Sequence, residues 1–418
     1  MGRNKVWIRV VLLTATAIVS LPYAKLVRGW PMQNPGKVTT QNGQTDAKAS
    51  ASKAGQAPHA VGRMRPAWAI RVATDEVLKL ASQLGIHDII VYGGPGTGLI
   101  PGTNRPLKKA RPDYDDYVAL RRRLESYGLR IAGIEGGFIG NPRYRDVFYG
   151  GPKRDELIDE LIAEIRDMAR AGIPIYAYHW MGNSVWRTKS VKIRGGATAT
   201  ALDFKQLQQV QDRPTCEKMR AAGELGFSVC ELLPESPGRT YSEEALWQNL
   251  EYWIRKVTPV AEKEGIRLGI HPDDPPVPQI AGVPRLLRNH AAFRRLIEIY
   301  PSDSNAIEFC QGTFSEMKDD VYDAIRYFGS RKKILYVHFR NVSGRVPEFH
   351  EEFINTGYVD MRKAMRLYRE VSFKGVLIDD HCPEIEGDEA FPGNLGGYRS
   401  RIFALGYIQG LLDSLSDE

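Results

Sequence analysis

Cysteine is scarce in this chain: Cys216, Cys230, Cys310 and Cys382 are the four in 418 residues. No two stand at CxxC spacing, which excludes the common zinc and thiol-redox patterns. A chain of this length builds its core without disulfide staples, so Cys216 and Cys230 are expected to be plain core or surface thiols. There is no dense Lys/Arg stripe with interleaved aromatics, which speaks against nucleic acid as a partner. The net charge of +7 does not alter this, because residues 1–65 hold ten Lys or Arg and one acidic residue, Asp46. No apolar run is long enough for a comfortable membrane span, and no twin-Arg or lipobox cysteine is present. The run from Val10 to Leu21 follows Arg3, Lys5 and Arg9 and precedes Pro22-Tyr23-Ala24. That is the tripartite form of a secretory signal or uncleaved anchor over residues 1–27. An exported or periplasmic protein is therefore the expectation and a cytoplasmic one the alternative, with any membrane contact confined to this segment. Residues 28–65 lack an apolar period and are expected to be a disordered linker.

From residue 66 to 418 the texture is that of a folded catalytic domain; the whole chain is 43% apolar and 26% charged. Short apolar runs alternate with amphipathic stretches. Strands are expected near Ala67–Val72, Ile89–Tyr92, Arg130–Ile134, Ile173–Tyr178, Ile266–His271, Ala306–Cys310, Ile334–Phe339 and Gly375–Ile378. Helices are expected at Glu76–Leu84, Asp115–Tyr127, Arg154–Ala171, Glu243–Glu264, Met317–Phe328, Asp360–Val371 and Arg401–Leu412. Strict alternation implies a parallel sheet with helices outside, and about eight units favour an α/β fold closed as a (β/α)8 TIM barrel. The surplus length lies after the fourth strand, at about 182–242, as an insertion at the catalytic mouth.

Four expected strands end in a potential ligand: His271, Cys310, His338 and Asp380. They are 39, 28 and 42 residues apart, each near one βα unit. In a barrel such ends surround one site. Two imidazoles, a thiolate and a carboxylate suit a divalent ion such as Mn²⁺, Fe²⁺, Co²⁺, Ni²⁺ or Zn²⁺. Singly, each residue is more often structural; their shared topological position favours a metal centre. His381 adjoins Asp380 and can titrate near neutrality, so it is a candidate acid/base, or else orients Asp380. Arg340 and Arg187 could pair with a substrate carboxylate, though Arg340 could instead pair with Asp273 or Asp274.

His271-Pro272-Asp273-Asp274-Pro275-Pro276, Phe309-Cys310-Gln311-Gly312, Val337-His338-Phe339-Arg340-Asn341-Val342 and Asp380-His381 together resemble the mannonate dehydratase family. Val185-Trp186-Arg187-Thr188 and Phe349-His350-Glu351 match in order as well. The resemblance runs from about residue 66 to the C-terminus. It implies a xylose-isomerase-like barrel that takes water from D-mannonate to give 2-keto-3-deoxy-D-gluconate, with Mn²⁺ or Fe²⁺. By position it implies His271, Cys310, His338 and Asp380 as metal ligands, and Tyr398 with Asp380 as proton carriers. The family's enzymes are cytoplasmic, unlike what residues 1–27 suggest. Two segments depart from its pattern. Ile378-Asp379-Asp380-His381-Cys382 replaces Arg-Pro-Asp-His-Gly, and His179-Trp180-Met181 replaces Asn-Phe-Met, which places His179 with Arg187 and Arg340 as expected substrate contacts.

The expected reaction is dehydration of an aldonate. The proton α to a carboxylate is very weakly acidic, so its removal needs a base, an acid for the departing hydroxyl and a cation for the developing charge. A sugar isomerase or epimerase on the same barrel is the first alternative, and an exported sugar-binding protein the second. The expected partner is a small sugar acid; a homodimer is compatible with the chain.

Overall fold

The computed structural model describes residues 63–94, 98–136, 142–236, 240–388 and 398–415. The expected leader (1–27) and all but the last residues of the expected linker (28–65) lie outside these. Eight parallel strands close a barrel: β1 (Arg65–Ile70), β2 (Asp88–Tyr92), β3 (Arg130–Glu135), β4 (Ile175–His179), β5 (Arg267–His271), β6 (Asn305–Cys310), β7 (Ile334–His338) and β8 (Val376–Ile378). Each pairs with the next in sequence, and β8 closes on β1 through Arg65, Pro66 and Ala67.

Period-two alternation sorts the strand side chains. Ala67, Ala69, Ile90, Ala132, Ala177, Ala306 and Ile378 fill the barrel interior with Tyr92 and Tyr336. Trp68, Ile89, Val91, Ile270 and Phe309 point outward into one continuous core beneath the helices. The small inward residues leave room for the large polar ones at the strand ends.

Each strand is followed by a helix: α1 (Asp75–Gln83), α2 (Tyr114–Glu125), α3 (Arg154–Arg170), α4 (Glu243–Glu264), α5 (His290–Ile299), α6 (Val321–Ser330), α7 (Met361–Glu370) and α8 (Tyr398–Leu415). Local chemistry sets their ends. Asp113 and Asp116 form a reciprocal capping box at the start of α2. Gly265, at φ 73°, stops α4 and turns the chain into β5. The helix expected at Met317–Phe328 starts later, at Val321, where Asp320 caps α6 by accepting the Tyr322 N–H; a short helix that was not expected, Gln311–Glu316, precedes it and starts directly at Cys310. Helix α5, capped by Asn289, was not among the expected helices.

The insertion follows the fourth barrel strand as expected. Thr188–Lys192 and Thr198–Asp203 form an antiparallel pair, which Glu348–Glu352 and Asn341–Val342 from the loop after β7 extend to a four-stranded sheet. This sheet has its own core, around Trp186, Leu202, Leu207, Met219, Leu233 and Phe349. Cys216 and Cys230 are not free thiols: they form a disulfide within that core.

Candidate active site and metal centre

Strand register brings the expected ligands together. His179 is the β-partner of His271, and Cys310 is the partner of His338. One donor atom from each of His271, Cys310 and His338 lies within 4.8 Å of the others, and all three residues are buried. Asp380, just past β8, adjoins the group with Oδ2 at 3.2 Å from His338 Nδ1.

The hydrogen bonds select which ring nitrogens are free. His271 Nδ1 lies 2.6 Å from the Pro272 carbonyl oxygen, which only accepts, so Nδ1 carries the proton and Nε2 is left as a ligand atom. His338 Nε2 faces carboxylates, Glu135 Oε2 at 3.2 Å and Glu308 Oε1 at 2.8 Å, which assigns its proton there. His338 Nδ1 is buried, with Asp380 Oδ2 3.2 Å away but not in good hydrogen-bond geometry, so that nitrogen and carboxylate could share a metal. Cys310 Sγ accepts from the Thr313 hydroxyl at 3.2 Å and its N–H at 3.5 Å. Burial alone would raise the thiol, but Arg340, His271 and His338 hold it well below its ordinary value, as a thiolate. Burial opposes a charge on Asp380 too, and His381, His338 and Arg340 overcome it. Two imidazole nitrogens, a thiolate and an adjacent carboxylate fit a divalent metal.

The His-Pro-Asp-Asp-Pro-Pro lip is tied down on both sides. Asp273 accepts from the Leu287 N–H at 2.6 Å and from Arg285 at 3.3 Å. Asp274 reaches into a second buried set. There Arg187 donates to Asp274 and to Glu351 (2.9 and 2.8 Å), and Arg340 donates to Glu351, Glu316 and Asp274 (2.7, 3.0 and 3.2 Å). Arg187 is fully buried and Arg340 nearly so. Both guanidinium groups thus serve internal carboxylates, the Asp274 pairing being one that the sequence left open for Arg340. Arg340 also lies 3.4 Å from Asp380 Oδ2.

His381 joins the two sets: Nδ1 is 3.2 Å from Glu351 Oε1, and Nε2 is 3.6 Å from Asp380 Oδ2. Its backbone is left-handed, φ 46°, a strained conformation for histidine of a kind that clusters at functional sites. His179 faces Glu135 at 3.4 Å, with its ring 4.9 Å from that of His271. No described contact joins Tyr398 to this set. It opens α8 with its ring 5.4 Å from Trp68, whose side chain belongs to the core beneath the helices, and Glu76 is the charge acting on it. The acidic surplus of the Asp379-Asp380 pair is offset from α8, where Arg401 donates to Asp379 at 2.8 Å.

Three groups at the site were not anticipated. Tyr92, the last residue of β2, donates to Asp380 Oδ1 at 3.3 Å. Glu135 ends β3 and accepts the Tyr336 hydroxyl at 2.9 Å. Glu308 lies two residues before Cys310 and so shares its inward face. The signal that singled out His271 and Cys310, a polar residue at or near a strand end, was present for all three.

Against this geometry, a family model described as D-mannonate dehydratase (UxuA) matches residues 110–418. The chain belongs to the D-mannonate dehydratase family. A mannonate dehydratase of Streptococcus pneumoniae (strain 70585) is 31% identical over 315 residues, covering 74% of this chain and 84% of that protein. The enzyme of Streptococcus suis (strain 05ZYH33) matches to the same extent. The crystal structure of mannonate dehydratase from S. suis serotype 2 has a TM-score of 0.70 at 28% identity, covering 84% of this chain and 93% of that one. A D-psicose 3-epimerase from Clostridium cellulolyticum H10 shares the fold alone, with a TM-score of 0.50 at 11% identity over 84% of this chain and 99% of that one.

Family membership corrects one expectation. The exported or periplasmic placement rested on residues 1–27, which lie outside the described residues. The family's enzymes are cytoplasmic, and the family match begins only at residue 110. The signal-peptide reading has no support from these comparisons, and among the described residues no helix is long and apolar enough to cross a membrane.

Proposed function

We infer that this chain is a metal-dependent hydro-lyase that removes water from D-mannonate or a closely related aldonate, giving the 2-keto-3-deoxy acid. The observation that carries this reading is the meeting of His271, Cys310 and His338 at the barrel mouth of a mannonate dehydratase family member. Mn²⁺ or Fe²⁺ is the proposed ion, which His271, His338 and the Cys310 thiolate would hold with Asp380 beside them. When bound, it supplies positive charge to the substrate carboxylate and a neighbouring hydroxyl.

The side chains around it handle the protons. The C2 proton goes to a base, the C3 hydroxyl leaves with a proton as water, and the resulting enol becomes the 2-keto acid. His381 is the proposed proton carrier: it is partly open to the mouth and held between Glu351 and Asp380. Tyr92 steadies Asp380, since burial keeps the phenol protonated as a donor. Tyr398 remains a candidate by resemblance, and its use would require approach from the α8 side. His179, at the rim, is the proposed direct substrate contact; Arg187 and Arg340 act through the carboxylates they hold.

A panel of hexonates assayed for 2-keto-acid formation tests the reading. Turnover of D-mannonate or a close aldonate is expected. Conversion of free ketoses with no aldonate turnover would establish the isomerase or epimerase reading instead, which rests on shared fold alone. Ligand binding without turnover of either, unchanged in Cys310→Ala, would favour the sugar-binding reading.

A further inference from the structure

Beside the first centre, Glu135 from the end of β3, His179 from the end of β4 and Glu308 from β6 face one another. One donor atom from each lies within 4.8 Å of the other two. We propose that Glu135, His179 and Glu308 form a second divalent-cation site next to the His271–Cys310–His338 centre.

The case starts from an underused acceptor. Glu308 is fully buried. Its Oε1 stands 2.8 Å from His338 Nε2, an ion-pair contact, while its Oε2 is buried with no hydrogen-bond partner. A buried carboxylate oxygen left without a donor is costly, so a site that retains one is suited to something that sits against it. Glu135 is engaged more fully, and its weaker contact is with the third member of the site. Its Oε2 takes the Tyr336 hydroxyl and faces His338, while its Oε1 has His179 at 3.4 Å.

The arginines close to the barrel mouth are engaged elsewhere. Arg187 and Arg340 are held by Asp274, Glu316 and Glu351, and Arg401 by Asp379. Two buried carboxylates therefore face each other with imidazoles as the only basic side chains in described contact. A divalent ion supplies the missing charge and uses the free oxygens as ligands. The donor set differs from its neighbour's: two carboxylates and one imidazole are harder than two imidazoles and a thiolate. The Glu135 site is accordingly the harder of the two, while the thiolate lets the Cys310 site, proposed above for Mn²⁺ or Fe²⁺, also take Zn²⁺ tightly.

The inference does not depend on which sugar acid is turned over, so it and the dehydratase reading fail separately. The test is metal stoichiometry on the full chain, stripped with chelator and titrated with Mn²⁺, read by elemental analysis and by the loss of the free Mn²⁺ resonance signal. Two ions per chain are expected, falling to one in Glu308→Gln with the first retained. Prior loading with one equivalent of Zn²⁺ is expected to leave room for one Mn²⁺. His179→Asn, at the partly exposed rim, gives the same reading if Glu308→Gln does not fold. A single ion at saturating Mn²⁺ in the unaltered chain would overturn the proposal, as would two ions persisting in both variants.

Discussion

Cys310 carries the most chemistry in the fewest atoms. Its thiolate is buried beside two imidazoles and is held ionised by Arg340 and His271. Cys310→Ser substitutes a hydroxyl that does not ionise. The expected outcome is a drop in metal affinity of about 100-fold or more, read by competition with a chelator, with dehydratase activity lost in parallel. Arg187 poses the opposite case. Its guanidinium holds Asp274 and Glu351 together in a dry interior. Arg187→Met strands those carboxylates and should destabilise the fold by about 3–5 kcal/mol, seen as a lowered melting temperature. An unchanged melt with a raised KM would instead show that Arg187 serves the substrate directly.

At the scale of elements, the insertion is tied together through its own backbone around Arg187. The Arg187 N–H donates to the Phe227 carbonyl at 2.8 Å, and the Gly226 N–H donates to the Arg187 and Thr188 carbonyls. Gly226 and Phe227 lie inside the loop closed by Cys216–Cys230. A loop of this size contributes about 3 kcal/mol by the chain-entropy model. Cys216→Ser with Cys230→Ser, or reduction of the native chain, is expected to lower the melting temperature and to raise KM more than it lowers kcat. Gly312 marks a second close approach, because a Cβ there would stand 2.4 Å from the Arg340 guanidinium carbon. Gly312→Ala should therefore push Arg340 from its carboxylates and lower activity at least 10-fold. Activity within twofold of the parent would refute that constraint.

For the molecule as a whole, the barrel is closed by β1 meeting β8, and β1 begins at Arg65. Away from the mouth, α3 buries Glu164 against the Tyr117 hydroxyl. Burial raises this carboxyl from 4.5 to about 8, against the lowering pull of Tyr117 and Arg111. Between those values the folded chain keeps a proton that the unfolded chain has released, so stability declines as pH rises through the window. The effect is on the order of a few kcal/mol. Glu164→Gln is expected to flatten that decline and to be the more stable form at pH 8, by denaturant titration across pH; parallel pH profiles would refute it.

Eight strands and every helix that follows them except α5 were legible because an apolar run of period two and an amphipathic run of period 3.6 are local patterns. His271, Cys310, His338 and Asp380 were legible because each stands at or just after a strand end, and a closed barrel turns that shared position into proximity. The sequence alone thus determined the architecture, the candidate ligands and the family resemblance. Spatial pairing was not local, and only the tertiary structure decided it. Arg187 and Arg340 became internal counter-ions once Asp274, Glu316 and Glu351, up to 164 residues apart from Arg187, were folded around them. Cys216 and Cys230 met because the helix Arg213–Ala221 and the short 3-10 helix Cys230–Leu232 pack in one small core. Glu135 and Glu308 entered the site because β3 and β6, three strands apart in the barrel order, bring their carboxylates together in a barrel whose small interior residues leave room for both.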